Sequence, residues 1–396
     1  MTQFSPQEIS EIRTATPGTS RVVHFNNAGA SLMPQPVADK IIEYLTHELN
    51  YGGYETAEKF APIIESTYTR LANYLNCDVS EIALTENATA AWGQAFLSIP
   101  FEHGDTVITS ASEYASNYIP FLQLQKKLEV KIKPVPCDRF GQADPVALSA
   151  MMDETVKLIA ITHVPTNGGL VNPAVEIGKI ASENNVWYLL DACQSAGQMP
   201  LDVKQIQCDF LSATGRKFLR GPRGIGFLFA SGKTLSLEPA ILDLHGAEWK
   251  SSGSYTVRED ARKYENWESN LASVVGLGEA ANYMLELGID RIWQRIHKLS
   301  EYLRRRLGQV PGVQVQDLGE IRCGIVSFSS PVEAVLLKEL LHQHGFNVSI
   351  IRPSHTLLDM QQRNLGPMIR ASVHYYNTEE EIDQFTGQLR TFVDGK

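Results

Sequence analysis

The sequence predicts an α/β fold: a large, mainly parallel sheet covered by helices, followed by a smaller C-terminal α+β domain. Three observations carry this. Short apolar β-rich runs alternate with helical stretches, which is the signature of a parallel sheet wrapped by helices. Those runs are almost continuously apolar, as strands buried on both faces are. The chain, at 396 residues, also exceeds the usual span of a single core, and its pattern changes after about residue 275.

In chain order, "EIALT" (81–85) reads as a strand and is followed by helical "ATAAWGQAFLSI". "DTVITS" (105–110) precedes helical "NYIPFLQLQKKL". "KLIAITHV" (157–164) leads through a loop to helical "AVEIGKIASENN" and then to "VWYLLDA" (186–192). "DFLSAT" (209–214) and "GIGFLFA" (224–230) complete the set. Beyond it, "IDRIWQRIHKLSEYLRRRLG" places Ile289, Ile292, Ile296, Leu299, Leu303 and Leu307 on one helical stripe, with the basic run Arg304–Arg306 read as its solvated side. Strand-like "CGIVSFSS", "FNVSII" and "MIRASVHYY" then alternate with helical "PVEAVLLKELLHQHG" and "TEEEIDQFTGQLRTFV". The expected divisions are an N-terminal segment (1–20), a large domain (21–265) and a small domain (266–396), the boundary falling near 255–275 within a long helix.

Composition excludes several classes. The formal net charge of −10 argues against a nucleic-acid partner, because phosphate binding depends on Lys and Arg. No run of 18 apolar residues marks a membrane span. The N-terminal "MTQFSPQEISEIRTATPG" lacks the basic-then-apolar pattern of a signal peptide. Cys77, Cys137, Cys193, Cys208 and Cys323 are odd in number and never spaced C-x-x-C, so neither a disulfide framework nor a zinc site is expected. The expectation is a reduced, cytoplasmic protein.

Candidate functional residues fall at strand ends, where open α/β sheets bind ligands. Thr85-Glu86-Asn87-Ala88-Thr89 closes a strand and opens a helix, so its N–H groups and the Thr89 hydroxyl suit a phosphate; an ordinary N-cap is the plainer explanation. Asp191 ends a strand and Gln194 follows it. The loop "HVPTNGG" adds His163, Thr166 and Asn167. In "SATGRKFLRGPRGIG" (212–226), Lys217 reads either as part of a basic surface loop or as a reactive amine beside an anion site. Each signal is weak alone; their order is not.

That order resembles the class V aminotransferase and cysteine desulfurase group, fold-type I enzymes that use pyridoxal 5′-phosphate. The resemblance rests on Asp191-Ala192-Cys193-Gln194-Ser195, on Thr214-Gly215-Arg216-Lys217 and on Gly221-Pro222. "HFNNAGAS" (24–31), "TENATAA" (85–91), "HVPTNGGLVNP" (163–173), "RKYENWES" (262–269) and "IRASVHYYNTEEEID" (369–383) match further stations. It implies that Lys217 carries the cofactor covalently and later moves the proton at the substrate α-carbon. Cationic Arg216 beside it would help keep the amine neutral. Asp191 would pair with the ring nitrogen, and Gln194 with the phenolic oxygen. Asn167 is preferred over Thr166 as the second contact there. Ala88, Thr89, Thr214 and Arg216 would hold the phosphate, and Arg370 would clamp the substrate carboxylate. Asn27, with the backbone of Ala28-Gly29, would sit on the substrate side. A homodimer is implied, with "RKYENWES" acting in trans.

Three departures narrow the chemistry that the resemblance implies. Desulfurases place a stacking His after Glu in "E-H-x-x-N"; here Glu113-Tyr114-Ala115-Ser116-Asn117 makes Tyr114 the stacker and removes the imidazole. Desulfurases keep a persulfide cysteine shortly before the carboxylate Arg; "SIIRPSHTLLDMQQRNLGPMIR" has none. The trans phosphate contact "E-x-G-T" reads Glu265-Asn266-Trp267-Glu268-Ser269, leaving Ser269, if any residue, for that role, since Glu268 is acidic. Cys193 is expected to fill space behind the ring. The expected activity is a carbon–sulfur lyase acting on a small amino acid by β-elimination, as in the branch without the persulfide cysteine. An aminotransferase or an epimerase like the isopenicillin N epimerase branch is the alternative. A cofactor-binding protein without turnover is disfavoured by the presence of both Lys217 and Arg370.

Overall fold

Apolar runs that alternate faces must be covered on both sides, and the chain does this with one large sheet. A computed structural model describes residues 3–395. After a two-residue strand β1 (Val23–His24), the runs form β2 (Ile82–Thr85), β3 (Thr106–Ser110), β4 (Lys131–Val135), β5 (Val156–Thr162), β6 (Trp187–Asp191), β7 (Phe210–Thr214) and β8 (Gly226–Ala230). They lie in the order β2-β8-β7-β6-β5-β3-β4. Neighbours from β4 through β7 pair parallel, and β8 runs antiparallel to both β7 and β2. Only the edge strand β4 is substantially exposed.

Period-two alternation sends successive side chains of β6 to opposite faces. Tyr188 and Leu190 join the core that includes Ile177, Leu201, Ile206 and Leu277, whereas Leu189 joins Trp92, Phe96, Phe121 and Phe210. The parallel strands therefore all point their carboxyl ends, and the residues Ser110, Thr162, Asp191 and Thr214, towards one edge of the sheet.

A hairpin, β9 (Ala247–Ser251) with β10 (Ser254–Val257), leaves this body. The C-terminal part forms β11 (Gln314–Val315), β12 (Ile325–Ser329), β13 (Phe346–Asn347), β14 (Ser349–Ile351) and β15 (Met368–Ser372). Four of these make an antiparallel sheet ordered β11-β12-β15-β14. The helices Ile289–Leu307, Ala334–Gln343 and Glu379–Asp394 close over it through Leu299, Leu303, Leu337, Leu341 and Phe385. Phe385 meets Phe25 edge-on at 5.3 Å between ring centroids.

Packed elements cross both expected domain limits. The Leu271–Leu287 helix lies against the Gln35–Tyr51 and Gly53–Leu75 helices, and β1 pairs parallel with β13. Residues 4–14 are not a loose tail: Phe4 and Ile12 are buried, and Arg13 bonds the Tyr376 carbonyl and Glu381.

One expectation is corrected here. Arg304 is not on a solvated face. It is buried and ion-paired with the fully buried Asp317 at 2.8 Å, and it also donates to the carbonyls of Cys323 and Ile325. A basic triplet marks helix surface only when no buried carboxylate faces it, and Asp317 does.

Candidate active site

A pocket opens at the carboxyl ends of β5 and β6 and is walled by the N-terminus of the Ala88–Ser98 helix. Ala88 and Thr89 line one side, and Tyr114, Ser116 and Asn117 a second. Thr162, Val164 and Thr166 enter from the β5 loop; Asp191, Cys193, Gln194 and Lys217 complete it. Asn87 caps the Ala88–Ser98 helix by accepting from the Ala90 N–H at 2.9 Å, which leaves the Ala88 and Thr89 amides without an intrahelical acceptor. β8 approaches that turn so closely that a Cβ on Gly226 would stand 2.9 Å from the Ala88 nitrogen. Thr214 pairs with Gly226 and so ends beside the same turn, although it does not line the pocket.

Lys217 leaves the end of β7 on a loop pressed against the Gln194–Gly197 turn. Gly197 has φ +89°, and any Cβ there would lie 2.3 Å from the Leu219 nitrogen. Burial lowers the affinity of Lys217 for its proton, opposed by Cys193 and Asp191 and reinforced by Arg216 and Arg370. The loop is pinned by Arg220, which sequence reasoning overlooked. Arg220 is fully buried with φ +64° and donates to the Leu32 carbonyl, the Tyr375 hydroxyl and the Thr16 hydroxyl.

Asp191 accepts the Cys193 N–H at 2.8 Å on one oxygen and Asn117 Nδ2 at 2.8 Å on the other. Cys193, expected behind the cofactor ring, lines the pocket itself; burial and Asp191 push its thiol pKa well up. Tyr114 sits as N-cap of the Ala115–Leu128 helix with its ring partly exposed.

Arg370 on β15 is buried, and it donates to the Thr166 carbonyl at 2.9 Å and to the Thr166 hydroxyl at 2.8 Å. Its Nε has no partner, and burial lowers its pKa to about 10. A buried guanidinium that faces no carboxylate among the described residues is costly to desolvate. The Gln194 amide bonds Thr166 at 3.3 Å and the Ala28 carbonyl, leaving its own oxygen buried without a partner.

Three expectations change. Thr166, not Asn167, lines the pocket between Gln194 and Arg370; the Asn167 side chain turns to Thr356 at 2.8 Å. The Asn27 side chain is also spent on the fold: it donates to the His24 and Ser372 carbonyls and accepts from the Tyr376 hydroxyl. The backbone beside it does reach the site, through Ala28 to Gln194 and Gly29 to Arg216. Arg216 is thus held at the Gly29 carbonyl and does not line the pocket with Ala88 and Thr89. His163 is buried away from the pocket, and its burial lowers its pKa to about 4.

Glu113 and Asn117 were visible in the sequence only as parts of a spacing. That i,i+4 spacing at a helix start was the available signal for a shared side-chain contact, and they meet at 2.8 Å.

The profile of the Aminotransferase class-V family matches residues 23–385. A probable cysteine desulfurase of Methanothermobacter thermautotrophicus is 30% identical over 97% of this chain and 98% of its own. One of Pyrococcus abyssi is 29% identical over 97% of each chain. The apo structure of a cysteine desulfurase from Thermococcus onnurineus superposes with a TM-score of 0.92 at 27% identity, covering all of both chains. A cystine C-S lyase in complex with cysteine persulfide superposes with a TM-score of 0.85 at 23% identity, over 95% of this chain and 99% of its own.

Proposed function

Because the chain belongs to the aminotransferase class-V family and is therefore a pyridoxal 5′-phosphate enzyme, we propose that it is a carbon–sulfur lyase acting on a cysteine-like amino acid. The residues present fit the cofactor: a carboxylate at a strand end, a helix N-terminus with open amides, a lysine of lowered proton affinity and the unpartnered oxygen of Gln194. When bound, pyridoxal phosphate withdraws electrons from the α-carbon of an amino acid attached to it. Asp191 would hold the proton on the cofactor's ring nitrogen, and Tyr114 would supply an aromatic wall to the pocket. Ala88 and Thr89 would take the phosphate at the helix N-terminus. Thr166 and Gln194 face the phenolic oxygen. Arg370, oriented by Thr166, binds the α-carboxylate. Lys217 would hold the cofactor and, once freed by the substrate amine, would take the α-proton; the sulfur group would leave as a thiol, and one water would be consumed in releasing pyruvate and ammonia.

The observation that carries the lyase reading is the segment before Arg370. Residues 352–366 form a short 3-10 turn and the Leu357–Gln362 helix and contain no cysteine. The test is a product assay with L-cysteine, L-cystine and S-substituted cysteines. Pyruvate is the expected product; alanine formed with an enzyme persulfide would overturn the reading.

We also propose a homodimer. Trp267, Glu268, Ser269 and Asn270 are exposed, as are Leu49 (83%) and Trp249 (80%), an unusual apolar load for a free surface. Light scattering that gives a monomer with full activity would refute it.

A further inference from the structure

The carboxylate of Glu113 sits behind Asp191, 3% exposed, and has no basic partner among the described residues. Five donors surround it. Oε1 accepts from the Tyr114 N–H at 3.0 Å, from Asn117 Nδ2 at 2.8 Å and from the Thr162 hydroxyl. Oε2 accepts from the Thr162 N–H at 2.9 Å and the Thr109 hydroxyl at 3.2 Å. Asn117 Nδ2 also donates to Asp191 Oδ2 at 2.8 Å. A side-chain amide has two N–H bonds, and here each goes to a different carboxylate. The result is a chain of contacts running Glu113–Asn117–Asp191 into the pocket.

A buried carboxylate is an expensive way to join β3 to β5 if joining is its only task, since neutral groups of similar shape would do so without desolvating a charge. We propose that Glu113 is a positioning residue: bridged by Asn117, it orients Asp191 and adds a second negative charge behind it, so that the cofactor's ring nitrogen keeps its proton. This rests on reading the pocket as the cofactor site. The groups facing Glu113 are Thr109 from β3, Asn117 from the helix, Thr162 from β5 and Asp191 from β6. Of these Asp191 is the titratable one. A negative charge in a poorly screened interior raises the proton affinity of a nearby base. Burial, with Asp191 adding to it, pushes the pKa of Glu113 itself up to about 7, so its charge acts above that pH.

The test uses holoenzyme loaded with cofactor labelled with 15N at the ring nitrogen, whose chemical shift reports its protonation. In Glu113→Gln the midpoint of that titration should fall by about one pH unit or more, while Glu113→Asp, which keeps the charge, should stay near wild type. A purely structural brace would favour the isosteric Gln over the shorter Asp, the opposite order. An unchanged midpoint in cofactor-loaded Glu113→Gln overturns the role of Glu113 and leaves the cofactor site intact. A wild-type protein that takes up no cofactor would instead sink the reading of the pocket, and this inference with it. Should Glu113→Gln not fold, the wild-type protein decides. Its ring-nitrogen shift must move again where the infrared carboxyl band of Glu113 disappears, and a flat shift there overturns the proposal.

Discussion

Arg370 donates twice to Thr166, to its carbonyl and to its hydroxyl, and these two bonds aim a buried guanidinium that faces no carboxylate among the described residues. The arginine is oriented before any anion arrives, so little ordering cost remains at binding.

Replacing Arg370 by Lys removes the planar fork while keeping a charge. About 2–5 kcal/mol is typical for a buried charge-assisted contact, so kcat/KM should fall by ~100-fold, mostly through KM. Thr166→Val removes the orienting hydroxyl and should cost roughly tenfold. Steady-state kinetics on the preferred substrate checks both. An Arg370→Lys enzyme with unchanged KM would remove the carboxylate from this site.

Lys217 and Asp191 separate two roles. Lys217→Ala should lower turnover by at least ~10³-fold, since a positioned proton-transfer group is worth that much. Borohydride, which fixes the cofactor to the wild-type chain, should leave it dissociable from the variant, a difference that mass spectrometry reads directly. Asp191→Asn should keep the cofactor bound yet lose about as much activity, because the amide holds no proton on the ring nitrogen. Near-wild-type rates in Asp191→Asn would mean the ring lies elsewhere.

Glu113 also predicts how the cofactor-free chain responds to pH. Its pKa rises from the ordinary 4.5 to about 7 on folding. Between those values the folded chain keeps a proton that the unfolded chain has lost. Stability therefore falls as pH rises through that window and levels off above it, by up to about 3 kcal/mol. Urea unfolding of wild type and Glu113→Gln at pH 4.5 and pH 8 isolates the effect, because the variant lacks this titration. A pH-independent difference between the two would show that the five donors hold the carboxylate ionised throughout.

The contrast between Asp191 and Arg304 shows what was legible in the sequence. Asp191, Gln194 and Lys217 stand at strand ends or in loops fixed by strand ends, so reading the strands placed them, whereas Arg370 lies mid-strand and came only from the family resemblance. Thr166 against Asn167 was not legible, since one residue of loop geometry decides which side chain faces inward. Asn27 was misread because its partners, Ser372 and Tyr376, lie some 345 and 349 residues away. Arg304 was misread for a different reason: a helical stripe says which face is apolar, not that Asp317, only 13 residues on, folds back against it.

Arg304 then makes its own prediction. Asp317 takes the Arg304 Nε–H on one oxygen, and on the other the Ser327 N–H at 2.8 Å and hydroxyl at 2.9 Å. The one Ser327 hydroxyl proton lies between that oxygen and the Asn167 carbonyl at 2.8 Å, so the pair sits against the loop that carries Thr166. Removing one partner of such a pair costs ~3–5 kcal/mol. Asp317→Ala should lose that much by urea unfolding and should also raise KM, whereas an effect on stability alone would confine the pair to the core.

The last prediction concerns sulfur. Accepting sulfane sulfur on the enzyme requires a thiolate, which needs exposure and a lowered pKa. All five thiols have raised pKa values, and Cys137 is the exposed one among them. Burial pushes Cys77 and Cys323 up to about 12 and raises Cys208 further, and it raises Cys137 and Cys193 with help from nearby carboxylates. Only Cys193 lines the pocket, and there its thiol sits against Asp191. Cys77, Cys137 and Cys193 replaced by Ser, with Cys208 and Cys323 replaced by Ala because they lie in the core, should leave β-elimination within about threefold of wild type. The expected penalty is stability, ~1–2 kcal/mol for each small cavity or buried hydroxyl. Pyruvate release measured beside alanine formation decides it: loss of activity on removing a single thiol, with stoichiometric alanine in the wild type, would restore a persulfide mechanism.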